Sequence, residues 1–239
     1  NSIASGGNYN VVVGDEAGTA ITTGDQNVAI GYAALDANTT ASNNTGVGYL
    51  ALGANTTGFS NTAFGSRSGD AITTGDYNTA VGNLALSAET TGAQSVAIGH
   101  GALASQNSTS SADMFNTAVG ASSGAAITTG VQNTFIGGLA GDANTTANNN
   151  TAVGYASLST NTTATNNTAV GSESLTANTS GAQNTAVGVS SMKATTTGGD
   201  NTALGFNSLV VNTTGTGNTA LGRSTLDANT TASNNTAVG

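Results

Sequence analysis

The chain has 239 residues, of which only 41 are Leu, Ile, Val or Phe, and its formal charge is −9. Arg67, Lys193 and Arg223 are its only Lys or Arg residues, so the composition excludes a protein that neutralises a nucleic-acid backbone. The absence of cysteine excludes a disulfide framework, and no apolar run is long enough to span a bilayer. Such a low apolar content leaves a low-complexity disordered chain as the alternative to a fold.

A pentad, Asn-Thr-Ala-Val-Gly or a close variant, recurs fourteen times along the chain. Its closing glycines are Gly14, Gly31, Gly48, Gly65, Gly82, Gly99, Gly120, Gly137, Gly154, Gly171, Gly188, Gly205, Gly222 and Gly239. Twelve of the thirteen intervals between them are 17 residues, and one is 21. A fixed period of this size is typical of a solenoid. We therefore predict an all-β fold, a parallel β-solenoid (β-roll or β-helix) of about fourteen 17-residue coils, because a disordered chain has no reason to keep such a register.

Taken in chain order, residues 1–9 are predicted to end a preceding coil, and regular coils follow over residues 10–94. The coil of residues 95–115 carries four extra residues, predicted as a loop within 106–115 that is either a surface bulge or a binding loop. Regular coils resume at residue 116, and the chain stops on a motif glycine. We therefore interpret residues 1–239 as a single β-solenoid repeat domain and as a segment of a longer chain or fibre.

The predicted core follows from the alternation of side chains along an extended segment. We number each coil 1 to 17 from the motif asparagine. Position 4 is always Val, Ile, Leu or Phe and is predicted to point inward, with the alanine of position 3 on the outer face. Position 9, usually Leu, is predicted to form a second inner row. The predicted core includes Val13, Ile30, Leu35, Val47, Leu52, Val81, Leu86, Val153 and Leu158. The small outer alanine is explained either by close approach of another surface or by steric economy.

Three coils have glycine instead of leucine at position 9, and in these coils position 12 becomes isoleucine. The pairs are Gly18 with Ile21, Gly69 with Ile72, and Gly124 with Ile127. The exchange predicts that both positions reach the same core. Gly141, which is followed by Asn144 at position 12, has no such compensation.

Two positions of each coil are predicted to be turns. Position 5 is glycine in every coil, as expected where a strand turns through a left-handed backbone conformation. Position 15 is usually glycine, but it is alanine in the four coils that alone have asparagine at position 17. Since asparagine tolerates positive φ, we predict one left-handed residue per turn, at either position 15 or position 17.

The acceptor pattern Asn-x-Ser/Thr suggests N-linked glycans. The candidate attachment residues are Asn38, Asn55, Asn107, Asn144, Asn161, Asn178, Asn212 and Asn229. All except Asn107 occupy position 12, where the alternative is an internal asparagine ladder, since isoleucine replaces asparagine at the same place. Further matches at position 17 are already explained by the turn.

Little in the sequence supports chemistry. His100 is the only histidine, without cysteine or a fixed carboxylate partner, so no catalytic residue, cofactor or metal is predicted and the protein is not expected to be an enzyme. Aspartates do not recur in every coil, as calcium-binding repeats would require. Ice binding would need a flat threonine array, whereas the repeated pairs such as Thr39 and Thr40 lie beside a turn.

The segment Asn150–Thr163 (N-T-A-V-G-Y-A-S-L-S-T-N-T-T) and the segment Ser95–Gly99 (S-V-A-I-G) resemble the head repeats of trimeric autotransporter adhesins, and equally the repeats of phage tail fibres. The resemblance covers nearly the whole chain. It implies a left-handed parallel β-roll, three chains packed side by side, and display on a cell or virion surface. The coil is longer and richer in Asn and Thr than in the adhesins, and the neck, stalk and anchor of that family are absent from these residues.

The leading hypothesis is therefore a non-enzymatic structural protein of an extracellular or cell-surface fibre, a scaffold or adhesin rod that is glycosylated. The second is a phage tail-fibre shaft or receptor-binding segment, and the third an ice-binding solenoid. The expected partners are further copies of the chain, as a homotrimer or an end-to-end filament, together with glycans or a host-surface receptor. Neither nucleic acid nor membrane insertion is expected.

Overall fold

The computed structural model describes residues 6–239, so the predicted preceding coil, residues 1–9, lies partly outside the described residues. The described chain is all-β: it contains fourteen strands of three residues each and no helix. Two compact units are present, Asn1–Asn116 (unit 1) and Thr117–Gly239 (unit 2). The predicted fold class, an all-β parallel solenoid, is confirmed.

Each strand covers positions 2 to 4 of one coil. In unit 1 the strands are β1 (Val11–Val13), β2 (Val28–Ile30), β3 (Thr45–Val47), β4 (Thr62–Phe64), β5 (Thr79–Val81) and β6 (Val96–Ile98). In unit 2 they are β7 (Thr117–Val119), β8 (Thr134–Ile136), β9 (Thr151–Val153), β10 (Thr168–Val170), β11 (Thr185–Val187), β12 (Thr202–Leu204), β13 (Thr219–Leu221) and β14 (Thr236–Val238).

Within each unit, consecutive strands pair in parallel and without any register shift. Val11 lies opposite Val28 in unit 1, and Thr168 lies opposite Thr185 in unit 2, so the offset is one 17-residue repeat. Every coil position therefore becomes a column of equivalent side chains. Successive members of a column are about 4.8 Å apart, the spacing of hydrogen-bonded strands.

The structure reverses the predicted faces of the strands. The alanines of position 3 point inward, and Ala169 is 0% exposed, whereas Val13 is 57% and Phe64 58% exposed. Five predicted core residues are therefore wrong, because Val13 and Ile30 are exposed and Val47, Val81 and Val153 are only half-buried. The four predicted leucines, Leu35, Leu52, Leu86 and Leu158, are fully buried and confirmed.

The reason for the reversal is the narrow interior of the coil. The leucine of position 9 crosses the interior and fills the space opposite the strand, so the inward strand residue must be small. Gly46 of β3 shows how little room there is: a Cβ atom on it would lie 3.3 Å from Leu35 Cγ and 2.9 Å from the Ala51 carbonyl oxygen. Alanine at position 3 is thus a core residue rather than a surface residue.

Phe135 explains the uncompensated glycine at Gly141. Phe135 is the only residue larger than valine at position 3, and its side chain is fully buried. A Cβ atom on Gly141 would lie 2.6 Å from the Phe135 ring, so the ring occupies the space that leucine fills in other coils. The predicted exchange between positions 9 and 12 is also confirmed, since Ile72 Cδ1 lies 3.0 Å from where a Gly69 Cβ would be.

The asparagines of position 1 form a buried ladder that joins successive coils. The Asn44 backbone N–H donates to Asn27 Oδ1 at 2.9 Å, and Asn27 Nδ2 donates to the Ala41 carbonyl of its own coil at 2.9 Å. The same pair of bonds recurs in unit 2, for example from Asn167 N–H to Asn150 Oδ1 at 2.9 Å. Each amide therefore both closes its own coil and links it to the next.

The glycines of position 5 are confirmed as turn residues. From Gly14 to Gly222 they adopt φ between +128° and +140°. A Cβ on Gly14 would also lie 2.6 Å from the carbonyl oxygen of Gly31 in the next coil. The prediction for positions 15 and 17 is wrong, because position 17 has positive φ in every coil, from Gln26 to Asn234, whereas the described glycines of position 15 do not.

The packing of Phe135 against Gly141 gives a stability prediction. Phe135→Ala should lower the free energy of unfolding by about 3–5 kcal/mol, because the ring fills a site with no other occupant. Adding Gly141→Leu should restore most of this loss, since the double variant recreates the alanine and leucine of the next coil, Ala152 and Leu158.

Urea unfolding followed by circular dichroism would measure both variants. Gly141→Leu alone serves as the matched control and should also destabilise, because the leucine and the ring compete for one space. Independent, additive effects of the two substitutions would contradict the shared site.

Candidate interaction surface

The outward side chains of positions 2 and 4 form a continuous strip in each unit, which we call the outer strand face. In unit 1 it consists of Val11, Val13, Val28, Ile30, Thr45, Val47, Thr62, Phe64, Thr79, Val81, Val96 and Ile98. In unit 2 it consists of Thr117, Val119, Thr134, Ile136, Thr151, Val153, Thr168, Val170, Thr185, Val187, Thr202, Leu204, Thr219, Leu221, Thr236 and Val238. No member of the outer strand face is charged.

In unit 2 the outer strand face has two uniform columns. One column is threonine in all eight coils, and the other is aliphatic in all eight. Several aliphatic members are strongly exposed, including Ile136, Leu204 and Leu221. Contiguous exposed apolar surface of this kind marks an interaction site in a soluble protein. Sequence reasoning missed this surface because it assigned position 4 to the core.

Six of the predicted glycosylation sites are buried in the folded chain. Asn38, Asn55, Asn144, Asn161, Asn178 and Asn212 are all 0% exposed. Their amides bond locally: Asn161 Nδ2 donates to the Ala164 carbonyl at 2.9 Å, and the Ala147 N–H donates to Asn144 Oδ1 at 3.1 Å. A glycan on Nδ2 would have to leave through the core, so these six assignments are wrong. The alternative, an internal asparagine column at position 12, is confirmed.

The other two glycosylation candidates differ from these six. Asn107, in the insertion, is exposed, and its Oδ1 accepts a hydrogen bond from Thr90 Oγ1 at 2.9 Å. Asn229 is half-buried and donates to Asn212 Oδ1 at 3.1 Å. Attachment at Asn107 and Asn229 stays a prediction.

The insertion is held by a fully buried carboxylate, Glu89, which replaces asparagine at position 12. Glu89 Oε1 accepts backbone N–H bonds from Thr91 at 3.1 Å, Gly92 at 2.7 Å and Ser108 at 3.1 Å. Glu89 Oε2 accepts from Gln106 Nε2 at 3.0 Å. These bonds give both oxygens of the buried side chain hydrogen-bond donors.

Gln106 extends the same network towards the neighbouring coils. Its Nε2 also donates to Ser95 Oγ at 2.8 Å, and its Oε1 accepts from Asn116 Nδ2 at 2.9 Å. Ser95 is the one position-1 residue that is not asparagine, so the longer Gln106 side chain reaches where a ladder amide would otherwise lie. This network could have been found in the sequence, because Glu89, Ser95 and Gln106 replace the usual asparagine in two adjacent coils.

The charged residues occupy coil positions other than the two that form the outer strand face. Burial raises the pKa of the half-buried Asp36 and Asp142 carboxyl groups at position 10. Two ion pairs, Arg67 with Asp70 at 2.7 Å and Lys193 with Glu173 at 2.6 Å, each have a cation whose side chain is about half exposed, so solvent weakens both.

Neither a metal site nor a membrane span is found in the described part of the chain. Residues 6–239 contain no cluster of three or more His, Cys, Asp or Glu side chains suited to a metal ion. No helix in this range has the length and apolar character needed to cross a membrane.

Comparisons with protein-family models, with curated proteins and with solved structures found no match to this chain. The resemblance to adhesin heads and tail fibres therefore stays a prediction, and function must be argued from the surface itself.

The Glu89 network gives a second stability prediction. Glu89→Gln should lower the free energy of unfolding by about 1–3 kcal/mol. The substitution replaces one accepting oxygen with an NH₂ group, which would then face N–H donors and leave them without an acceptor. Denaturant unfolding of the full chain would measure the change.

Glu173→Gln is the matched control, since Glu173 is exposed and should change stability by less than about 0.5 kcal/mol. Equal stability of the two variants would show that the buried carboxylate does not hold the insertion.

Proposed function

We propose that this protein is a non-enzymatic structural rod whose copies associate side by side through the outer strand face. The observation that carries the proposal is the outer strand face itself, which has no charged side chain in any coil of either unit and includes exposed aliphatic residues such as Ile136, Leu204 and Leu221. Only a partner would remove these aliphatic side chains from water.

The size of the face can be stated for each unit. With an advance of about 4.8 Å per coil and a width of about 10 Å, the eight coils of unit 2 present roughly 400 Å². The six coils of unit 1 present roughly 300 Å² on the same basis. For comparison, a standard protein interface buries roughly 800 Å² per partner.

A second copy of the chain is the occupant that these features favour. Every copy carries the same face with the same repeat, so two copies can match columns along their length without a new surface. Burial of the aliphatic column gives roughly 25 cal/mol per Å² of apolar area. The hydroxyl groups of the threonine column can exchange hydrogen bonds across the contact. A homotrimer, as the resemblance implies, is the expected assembly, and an end-to-end filament is the alternative.

We further propose that the rod is extracellular, as a scaffold or adhesin on a cell surface that meets a host-surface receptor, or else a tail-fibre shaft on a virion. The resemblance of the repeats to both classes supports this role. A thin core, in which alanine, one larger apolar side chain and asparagine recur from coil to coil, also suits a structural repeat protein.

Side-by-side association can be tested by placing a charge in the middle of the outer strand face. Val170→Lys should convert the oligomer to a monomer, because a buried unpaired ammonium costs several kcal/mol in an apolar contact. Size-exclusion chromatography with light scattering would report the mass of the assembly.

Ser180→Lys adds the same charge at an exposed residue outside the face and should leave the mass unchanged. A wild-type chain that is monomeric at high micromolar concentration would remove this proposal.

Ice binding is a second candidate function, and one structural observation favours it. Besides the threonines beside the turn, unit 2 presents a column of eight outward threonines in its strands, from Thr117 to Thr236. Their hydroxyl groups recur about every 4.8 Å in the register of a parallel sheet. Such a regular array is the geometry that an ordered water layer requires.

Thermal hysteresis of the full chain would test this second function. If it is correct, Thr168→Lys combined with Thr185→Lys should remove most of the hysteresis, because both charges interrupt the column, and Ser180→Lys should not. No hysteresis in the wild-type chain at millimolar concentration would exclude ice binding.

A further inference from the structure

A cavity of about 340 Å³ opens at the edge of the outer strand face in unit 1. Its lining residues are Tyr77, Gln94, Val96 and Phe115. Only Val96 belongs to the outer strand face; the other three are the last residues of three successive coils. The cavity thus spans three coils, and two of its four lining residues belong to the coil of residues 95–115, which carries the insertion.

Two aromatic side chains flank the cavity. Tyr77 and Phe115 are 56% and 47% exposed, and one coil lies between theirs, so their backbones are about 10 Å apart. Tyr77, Gln94 and Phe115 share the left-handed conformation, with φ of 58°, 60° and 50°, which directs their side chains alike. Phe59 supports Tyr77 edge-on, with ring centroids 5.0 Å apart.

The insertion fixes the position of Phe115. The preceding residue, Met114, is buried, and its N–H donates to the Ala93 carbonyl at 2.9 Å. The Ala93 N–H in turn donates to the Ala112 carbonyl at 3.0 Å. Glu89 holds the start of the insertion through Ser108. Hydrogen bonds therefore hold the insertion at its start and at its end, where Phe115 lies.

Gln94 ends the coil between those of Tyr77 and Phe115, and it supplies the polar group that lines the cavity. Its backbone N–H donates to the Asp76 carbonyl at 3.0 Å, whereas its side-chain amide has no hydrogen-bonding partner among residues 6–239. The amide thus offers one acceptor and two donor hydrogens to a ligand. None of the four lining residues is charged. The neighbouring Asp76 carboxylate already accepts the Phe59 N–H at 2.8 Å.

We propose that this cavity binds one ring of an uncharged saccharide between Tyr77 and Phe115. A pyranose ring has apolar C–H faces, which stack on aromatic rings, and hydroxyl groups at its edge, which the Gln94 amide can bond. A distance of about 10 Å between the two aromatic residues leaves room for one such ring. For a ligand of about twelve heavy atoms the expected affinity is roughly millimolar. The inference does not rest on the proposed self-association.

Saturation-transfer NMR of the 239-residue chain with glucose, galactose, mannose, N-acetylglucosamine, lactose and maltose would test the site. At least one sugar should receive saturation on its ring protons. Tyr77→Ala, Phe115→Ala and Gln94→Ala should each weaken binding about tenfold, or about 1.4 kcal/mol, since each removes a stacking or hydrogen-bonding partner. Tyr155→Ala removes an exposed tyrosine in unit 2 and should leave binding unchanged.

Two further measurements separate the alternatives. Choline, a cationic probe of aromatic cages, should not compete with the sugar, and preferential choline binding would overturn the assignment. The Val170→Lys variant, which is designed to disrupt self-association, should still bind sugar. Its sugar binding therefore tests this site separately from self-association. Absence of saturation transfer from every sugar, or transfer that survives both aromatic substitutions, would also overturn it.

Discussion

The structure depends on the unbroken 17-residue register between parallel coils. Because each backbone group pairs with its equivalent in the next coil, identical side chains stack, and the position-1 asparagines convert this stacking into buried hydrogen bonds. Asn27 donates to its own coil and accepts from Asn44 in the next. A shift by one residue would leave each of these amides buried without partners, at a cost of about 1–3 kcal/mol each. Polar ladders thereby stabilise a core that is too thin to rely on apolar burial alone.

The same constraint makes the interior narrow and the outer strand face apolar. One large side chain per coil fills the interior, usually from position 9, but from Ile72 or Phe135 where position 9 is glycine. The aliphatic residues of the strands are then left outside. An exposed face of this kind is stable as part of an assembly and unfavourable in an isolated chain. The proposed self-association therefore follows from the way each coil folds.

The insertion illustrates how the regular scaffold accommodates an exception. Glu89 and Gln106 stand at position 12, where most coils have asparagine. They bond each other, and Glu89 also bonds the backbone of the extra residues, so the coil can depart from its period without leaving these buried polar groups unpaired. Phe115, the last residue of this coil, has the same left-handed conformation as Tyr77, which ends a coil two repeats earlier. A site with specific chemistry is most easily built where a repeat is broken, because elsewhere each coil must match its neighbours.

The sequence alone determined the period, the coil boundaries, the turn glycines and the inner leucines, because these follow from spacing and from residues that few conformations tolerate. It could not assign the two faces of a three-residue strand. Alternation separates position 3 from positions 2 and 4, but it does not say which face is inside. The usual rule that larger apolar residues are buried predicted position 4 as the inner residue, and this prediction is wrong. Which strand residue faces the interior depends on the tertiary structure, because the leucine from across the coil leaves room only for a small residue such as Ala29. The burial of Asn38 and the bonding of Glu89 were likewise decided by neighbours a full repeat away, which no local pattern contains.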